Sequence, residues 1–288
     1  MRLLMVWEDV LEIIKPSIEE RGFYHWNRSF QEFKREFRID APQRAPSYLS
    51  LDFWTLQRPE LIENDWYVIR LGRGNFAIFS RKEFPRPYLE LSISDAKELS
   101  LEHKSSFEHM RKSFKILDYN LKSAENTLLE LARYYGVYAH LTKVFENSTN
   151  YQIGPRGNMT QKFDVYMKRS SGNFEKFTYN GQVELDYTVW TENRVFVFEA
   201  KSMNRSGLDV GWHKMAYPSH RFISQAVEDG LKVQPVYLLR TIEAGENVLL
   251  LFIFDNLQFH NNGIILNEKD HWHPICIFRI SLNHLLGG

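Results

Sequence analysis

The residues best placed to do chemistry lie in one stretch. Val183-Glu184-Leu185-Asp186-Tyr187-Thr188-Val189-Trp190 runs into Thr191-Glu192-Asn193, then returns as Arg194-Val195-Phe196-Val197-Phe198-Glu199-Ala200-Lys201. Two hydrophobic runs around a short polar turn predict a β-hairpin. With the turn centred between Glu192 and Asn193, Asp186 falls opposite Glu199 and Glu184 opposite Lys201. Directly opposed residues of an antiparallel pair share a face, and so do residues two apart. Glu184, Asp186, Glu199 and Lys201 are therefore expected together on one side. Val183, Leu185, Tyr187, Val189, Phe196, Phe198 and Ala200 supply an apolar opposite face that can seal a core.

Facing carboxylates repel unless a positive charge lies between them. A divalent cation resolves that conflict. Mg²⁺ takes oxygen ligands, keeps waters, and is commonly held by one or two carboxylates plus substrate phosphate. Lys201 could orient or deprotonate an attacking water, or stabilise charge on the phosphate. The set suits metal-dependent phosphodiester hydrolysis. The plainer alternative is a cross-strand ion pair between Lys201 and Glu184. An acid-x-Lys triplet also occurs at Glu32, Asp95 and Glu102, in charged stretches where solvation accounts for it. The triplet at Glu199 differs because it ends a hydrophobic strand.

Several elements must position this hairpin. Ser123 to Tyr135 reads as a helix, with Ser123 as N-cap, leucines 128, 129 and 131 on its apolar side and Gly136 as its stop. Val137 to Val144 reads as extended and Phe163 to Met167 as a short strand. Ala216 to Gly230 reads as one helix, followed by buried strands over Val233 to Leu239 and Val248 to Phe254. Earlier in the chain, two helices are expected in the first forty residues, with a break or kink at Pro16. Trp66 to Leu71 and Phe76 to Phe79 form a hairpin around Gly72-Arg73-Gly74. Tyr88 to Ile93 is a further candidate strand and Ser94 to Met110 a charged helix. The order predicts a mixed sheet with flanking helices.

Strand-Asp, tight turn, strand-Glu-x-Lys, with a helix before and a helix-strand after, resembles the PD-(D/E)XK nuclease superfamily. Glu184-Leu185-Asp186 and Phe198-Glu199-Ala200-Lys201-Ser202 carry the resemblance, over about Ser123 to Leu239. Leu185 stands where the proline of the motif would, a position that varies in the superfamily. The resemblance implies an α/β (α+β) protein with a restriction-endonuclease-like αβββαβ core, Mg²⁺ dependence and DNA cleavage. By motif position Asp186 and Glu199 are expected metal ligands and Lys201 the catalytic lysine. Members often add an acid from the helix before the sheet. Glu125 fits as that catalytic and metal-binding acid, with Glu130 and Glu184 as competitors. Gln225 matches a glutamine some members carry on the helix after the lysine strand.

Contacts to DNA are expected from Arg70 and Arg73 on the first hairpin, Arg156 in a glycine-flanked loop, and Arg205, Lys214 and Arg221 after Lys201. The implied activity is that of a type II restriction endonuclease, a homodimer acting on double-stranded DNA. A repair or junction nuclease reading DNA shape, and an inactive nuclease-fold binder of nucleic acid, are the alternatives. Residues 1–114 would form an accessory recognition part and 115–288 the nuclease domain.

Composition sets the frame. The chain has 288 residues, 36 Lys+Arg against 36 Asp+Glu, and one cysteine, Cys276. It is 43% hydrophobic and 15% aromatic, enough for a sizeable core. One cysteine excludes an internal disulfide, and no CxxC pair offers a zinc site. No apolar run is long enough to cross a bilayer and no signal-peptide stretch is evident, so a reducing cytoplasmic setting is expected. Zero net charge excludes general coating of a polyanion. Any nucleic-acid contact must come from a local basic cleft around an acidic centre.

Overall fold

The computed structural model describes residues 7–40, 49, 52–89, 91, 94, 96–98, 125–134, 136–202, 208–267 and 273–281. Helix α1 (Trp7–Arg21), strand β1 (Phe23–Trp26), helices α2 (Phe30–Glu36) and α3 (Pro59–Glu63), and strands β2 (Trp66–Gly72), β3 (Asn75–Ser80) and β4 (Lys97–Glu98) come first. Helices α4 (Glu125–Tyr134) and α5 (Val137–Glu146) precede strands β5 (Gln152–Ile153), β6 (Gly157–Lys168), β7 (Phe174–Leu185), β8 (Tyr187–Trp190) and β9 (Arg194–Ser202). Then come helices α6 (His213–Ser219) and α7 (Ile223–Glu228), and strands β10 (Lys232–Glu243), β11 (Glu246–Ile253), β12 (Phe259–His260), β13 (Gly263–Ile265) and β14 (Cys276–Ser281).

The fold is mixed α/β. A 7-stranded sheet has the order β4-β14-β11-β10-β9-β8-β5. Its β9–β10 pair is parallel, and the chain between the two carries α6 and α7. Parallel neighbours need such a crossover because a tight turn cannot join them. Both faces of this sheet are buried, so β9 to β11 read as nearly continuous apolar runs. Phe196 and Phe198 pack with Leu128, Leu129, Tyr138 and Leu141 of α4 and α5. Val195 and Val197 point the other way, into a core shared with Val165, Tyr179, Trp212 and Tyr217. That second core also takes Tyr67, Ile69 and Phe79 from the β2–β3 hairpin. A third cluster joins α1, α2 and the opposite face of the hairpin, through Trp7, Phe33 and Phe76.

Local chemistry explains several of these elements. Ser29 caps α2 in a reciprocal capping box with Glu32. The β2–β3 hairpin turns at Gly72, Arg73 and Gly74 as expected, all three with positive φ. Gly72 also lies against the backbone of Asn180 and Gly181 in β7, leaving no room for a side chain.

Some expectations are corrected. The break expected at Pro16 is absent, since helix α1 continues through it. Val137 to Val144 is helical, not extended, because Val137, Leu141 and Phe145 recur at helical spacing and close onto the sheet. Gly136, at φ 72°, ends α4 and redirects the chain into α5. Ala216 to Gly230 is two short helices joined by a 3₁₀ turn over His220–Phe222. Tyr88 to Ile93 makes no full strand in its described part, although Tyr88 bridges Gly211 and Leu89 bonds Val210. Lys97–Glu98, inside the expected charged helix, is a short strand beside β14. The rest of that helix, the Ser123 cap and the 114/115 division lie outside the described residues.

Candidate active site

The hairpin register is the expected one. Tyr187 pairs with Phe198 and Trp190 with Val195, and Thr191 N–H donates to the Arg194 carbonyl at 2.8 Å. The ladder stops at Tyr187, and Asp186 is the next residue back. Asp186 sits where the chain leaves the 4-stranded sheet of β7 for the 7-stranded sheet of β8. Its Oδ2 accepts from the Ala200 N–H at 2.9 Å. That bond pins the carboxylate beside β9, next to Glu199.

The same switch removes Glu184 from the cluster. Glu184 pairs with Asn158 of β6 and is exposed. The expected Glu184–Lys201 opposition, and a single apolar face from Val183 to Val189, are therefore corrected. Val183 and Leu185 enter one core, Tyr187 and Val189 the other.

Helix α4 supplies the partner that Glu184 does not. Lys201 Nζ lies 2.8 Å from Glu125 Oε1 and 2.9 Å from Glu199 Oε1. Leu128, Leu129 and Ala132 bury the side of α4 that fixes its position on the sheet. Glu125, at its first residue, stays 41% exposed while reaching Lys201. The competitor Glu130 turns to Arg133 and Arg156 instead. Glu199 is 2% exposed and has a second cation, Lys214 Nζ at 3.4 Å. Next to Lys214, the buried His213 Nε2 lies 3.6 Å from Asp52 Oδ1. Backbone bonds from Trp54 to Asp209 and from Gly211 to Asp52 bring that N-terminal segment to the site.

The charges are unevenly matched. Burial, and then the Glu199 charge, push the Asp186 carboxyl up to about 7, against the Ala200 N–H and Lys201. Burial would lower Lys201, but Glu199 and Glu125 outweigh it and hold the ammonium well above its usual range. Lys214 is raised chiefly by Glu199. Lys201 is thus a firm cation, suited to orient or stabilise rather than to take up a proton. Burial also opposes ionisation of Asp52, yet His213 and Lys214 prevail and keep it well below the usual carboxylate range. Burial keeps the His213 imidazole below its usual value.

Among the described residues no group of three or more His, Cys, Asp or Glu is arranged to hold a metal ion. Lys201 lies between Glu125 and Glu199 instead. The donor chemistry nevertheless suits a hard divalent ion, since all three acids offer oxygen. Asp186, raised by burial and then by its neighbour Glu199, takes too little positive charge from Lys201 to offset both. A bound cation would supply that charge and reverse the local sign.

A cavity of about 240 Å³ opens beside Lys214, lined by Arg70, Asn158, Tyr179, Gln182 and Glu184 among others. Arg70 reaches it from β2, its Nη2 donating to the Gln182 carbonyl at 3.1 Å. Arg73 is exposed at the hairpin turn. Arg156 is exposed and paired with Glu130, and Arg221 is exposed beside Met159. Gln225 is exposed on α7, and among the described residues its side chain makes no hydrogen bond to the acids or Lys201. Arg205 lies outside the described residues. Asp52 was not among the expected residues. No local pattern marks it, because it reaches the site through long-range backbone pairing.

No curated protein and no solved structure matches the chain. A family model described as a domain of unknown function, DUF6997, matches residues 92–271 and so takes in Glu125, Asp186, Glu199, Lys201 and Lys214. The chain belongs to the DUF6997 family.

Proposed function

We propose that this protein is a Mg²⁺-dependent endonuclease that hydrolyses DNA phosphodiester bonds, with a type II restriction endonuclease as the finer reading. One observation carries it: Asp186, at the junction of two strands, meets Glu199 and Lys201 of β9, and Glu125 joins them from a separate helix. The resemblance to PD-(D/E)XK nucleases supports DNA as substrate and an αβββαβ core. In this reading α4, the hairpin strands, α6–α7 and β10 are its parts.

Asp186 and Glu199, with Glu125, would hold the metal. When bound, the ion activates water and offsets phosphate charge. Lys201 faces the same point as a fixed cation and stabilises the charge that builds on the phosphate oxygens. Water adds to phosphorus and gives up a proton to solvent, the bond to the leaving oxygen breaks, and that oxygen takes up a proton from solvent. Lys214 contacts the same Glu199 oxygen as Lys201 and helps to keep the carboxylate in place.

The test is cleavage of plasmid and phage DNA with Mg²⁺ or Mn²⁺ by the purified chain and by Asp186→Asn and Lys201→Met. Metal-dependent cleavage by the wild type, lost in both variants, is expected. Undiminished cleavage by either variant overturns that residue's role. A binding-only reading is favoured by one feature, the two ion pairs by which Lys201 occupies the space between Glu125 and Glu199. Calorimetry with Mn²⁺ separates the two, since a binding module takes up no metal through Asp186 or Glu199.

A further inference from the structure

Strands β6 and β7 form an antiparallel ribbon of 12 residues on each side, ending where Gly157 meets Leu185, one residue before Asp186. Asn158 opposes Glu184, Thr160 opposes Gln182 and Lys162 opposes Asn180. These pairs share one face, because opposed residues point the same way. Asn180 is half-buried and the other five are exposed. The alternate positions, including Phe163, Tyr179 and Val183, are buried in the core. A polar outward face is ordinary for a one-sided sheet. Three features here go beyond that.

The first is composition: four of the six side chains are amides or a hydroxyl, which both donate and accept hydrogen bonds. The second is position, since the face adjoins the acid cluster through Leu185 and Asp186. The third is the cavity, which Asn158, Gln182 and Glu184 line together with Arg70 and Lys214. Lys214 links it to Glu199. A two-stranded ribbon fits the DNA major groove, where Asn and Gln match adenine, and Glu accepts from cytosine. Arginine is suited to phosphate. The β2–β3 hairpin packs its turn against β7 and supplies Arg70.

We propose that the exposed face of β6 and β7, centred on Asn158, Gln182 and Glu184, reads base edges in the major groove beside the cleaved bond, with Arg70 on a neighbouring phosphate. This rests on the nuclease reading above. Asn158, Gln182 and Glu184 would be specificity determinants and would take no part in the bond-breaking step.

The experiment is cleavage of a randomised duplex DNA library in Mg²⁺ by the full chain, with sequencing of the cut ends. A randomised RNA pool runs in parallel. Asn158→Ala, Gln182→Ala and Glu184→Ala are compared with wild type, and melting midpoints confirm that each is folded. The wild type is expected to cut at a defined motif. Each variant is expected to lose about 5- to 150-fold of its preference at one or two base positions, the range for a single good base contact. An identical motif from all three variants overturns the inference and leaves the nuclease reading standing. So does DNA cleavage by the wild type without base preference. Cleavage of RNA alone overturns the choice of DNA. A wild type that cuts neither pool overturns the nuclease reading and this inference with it.

Discussion

The Lys201 ammonium lies 2.8 Å from the Glu125 carboxylate, across 76 residues of chain. A helix and a strand from distant parts of the sequence are thus tied at one polar point. The same nitrogen is 2.9 Å from the buried Glu199. Lys201→Met would leave Glu199 with Lys214 alone. Breaking a buried pair costs about 3–5 kcal/mol, and the remaining lysine should hold the loss near about 3 kcal/mol, read by urea unfolding. Glu199→Gln with Lys201→Met should cost less than the two single changes summed, because the Glu199–Lys201 contact is lost only once in the double variant. Strict additivity would mean the two side chains do not interact. Cleavage should fall by about 10²–10³ in Lys201→Met, the scale of losing one charge-stabilising group.

Asp186 sets a pH dependence. Burial and Glu199 raise its carboxyl to about 7, whereas an unfolded aspartate titrates near about 3.9. The folded state therefore keeps a proton that the unfolded chain releases. That proton's stabilising contribution is complete below about pH 4 and is lost as pH rises to about 7. Asp186→Asn keeps an oxygen for the Ala200 N–H and removes the titration. In metal-free buffer the variant should match wild type at about pH 4 and exceed it by about 2–4 kcal/mol at about pH 8. Urea unfolding at both values checks this. Equal stability at the higher pH would show that Asp186 carries no such strain.

The hairpin's inner part was legible because its register follows from a short turn and period-2 alternation. Asp186 beside Glu199 and Glu125 at a helix start both come from local patterns. Glu184 was not legible. Its place depends on whether β7 stays with β9 or leaves for β6, and that is decided by the twelve pairs of the β6–β7 hairpin, which reach from Lys168–Phe174 out to Gly157–Leu185. A weak signal existed, since Phe177, Tyr179, Val183 and Leu185 alternate with polar residues. Helix α5 was misread because Val137, Tyr138 and Val144 favour strands as single residues, while Val137, Leu141 and Phe145 share a helix face. Asp52 and Arg70 meet the later elements only through tertiary contacts, which no local pattern encodes.

Arg194 anchors the far end of the hairpin. Its guanidinium meets Glu146 and Gln234 at 2.6 Å and Asn256 at 2.8 Å, with the residue 5% exposed. It thereby joins the end of α5 to β10 and the segment after β11. Arg194→Ala removes the one cation facing Glu146 in this group and opens a void, and should cost about 3–5 kcal/mol. Glu146→Gln, which keeps an oxygen acceptor, should cost less. Thermal unfolding ranks the two. A smaller loss for Arg194→Ala than for Glu146→Gln would show that the network does not hold these elements together.

Gly72 ties the N-terminal hairpin to the ribbon beside the candidate site. Its φ is +85°, and a methyl there would collide with the Asn180 carbonyl and press on the Gly181 Cα. Both obstacles are backbone, so neither can rotate aside. Gly72→Ala should therefore cost about 2–4 kcal/mol through strain and steric displacement. The displacement would act on Arg70, whose guanidinium bonds the Gln182 carbonyl and whose own carbonyl accepts from the Tyr217 hydroxyl. DNA binding measured in Ca²⁺, which allows no turnover in the proposed chemistry, should weaken in Gly72→Ala. Gly230→Ala, also at positive φ but with open space around its added methyl, is the control for backbone strain alone. Equal effects of the two changes on stability and binding would show that contact between the hairpin and β7 contributes nothing to the site.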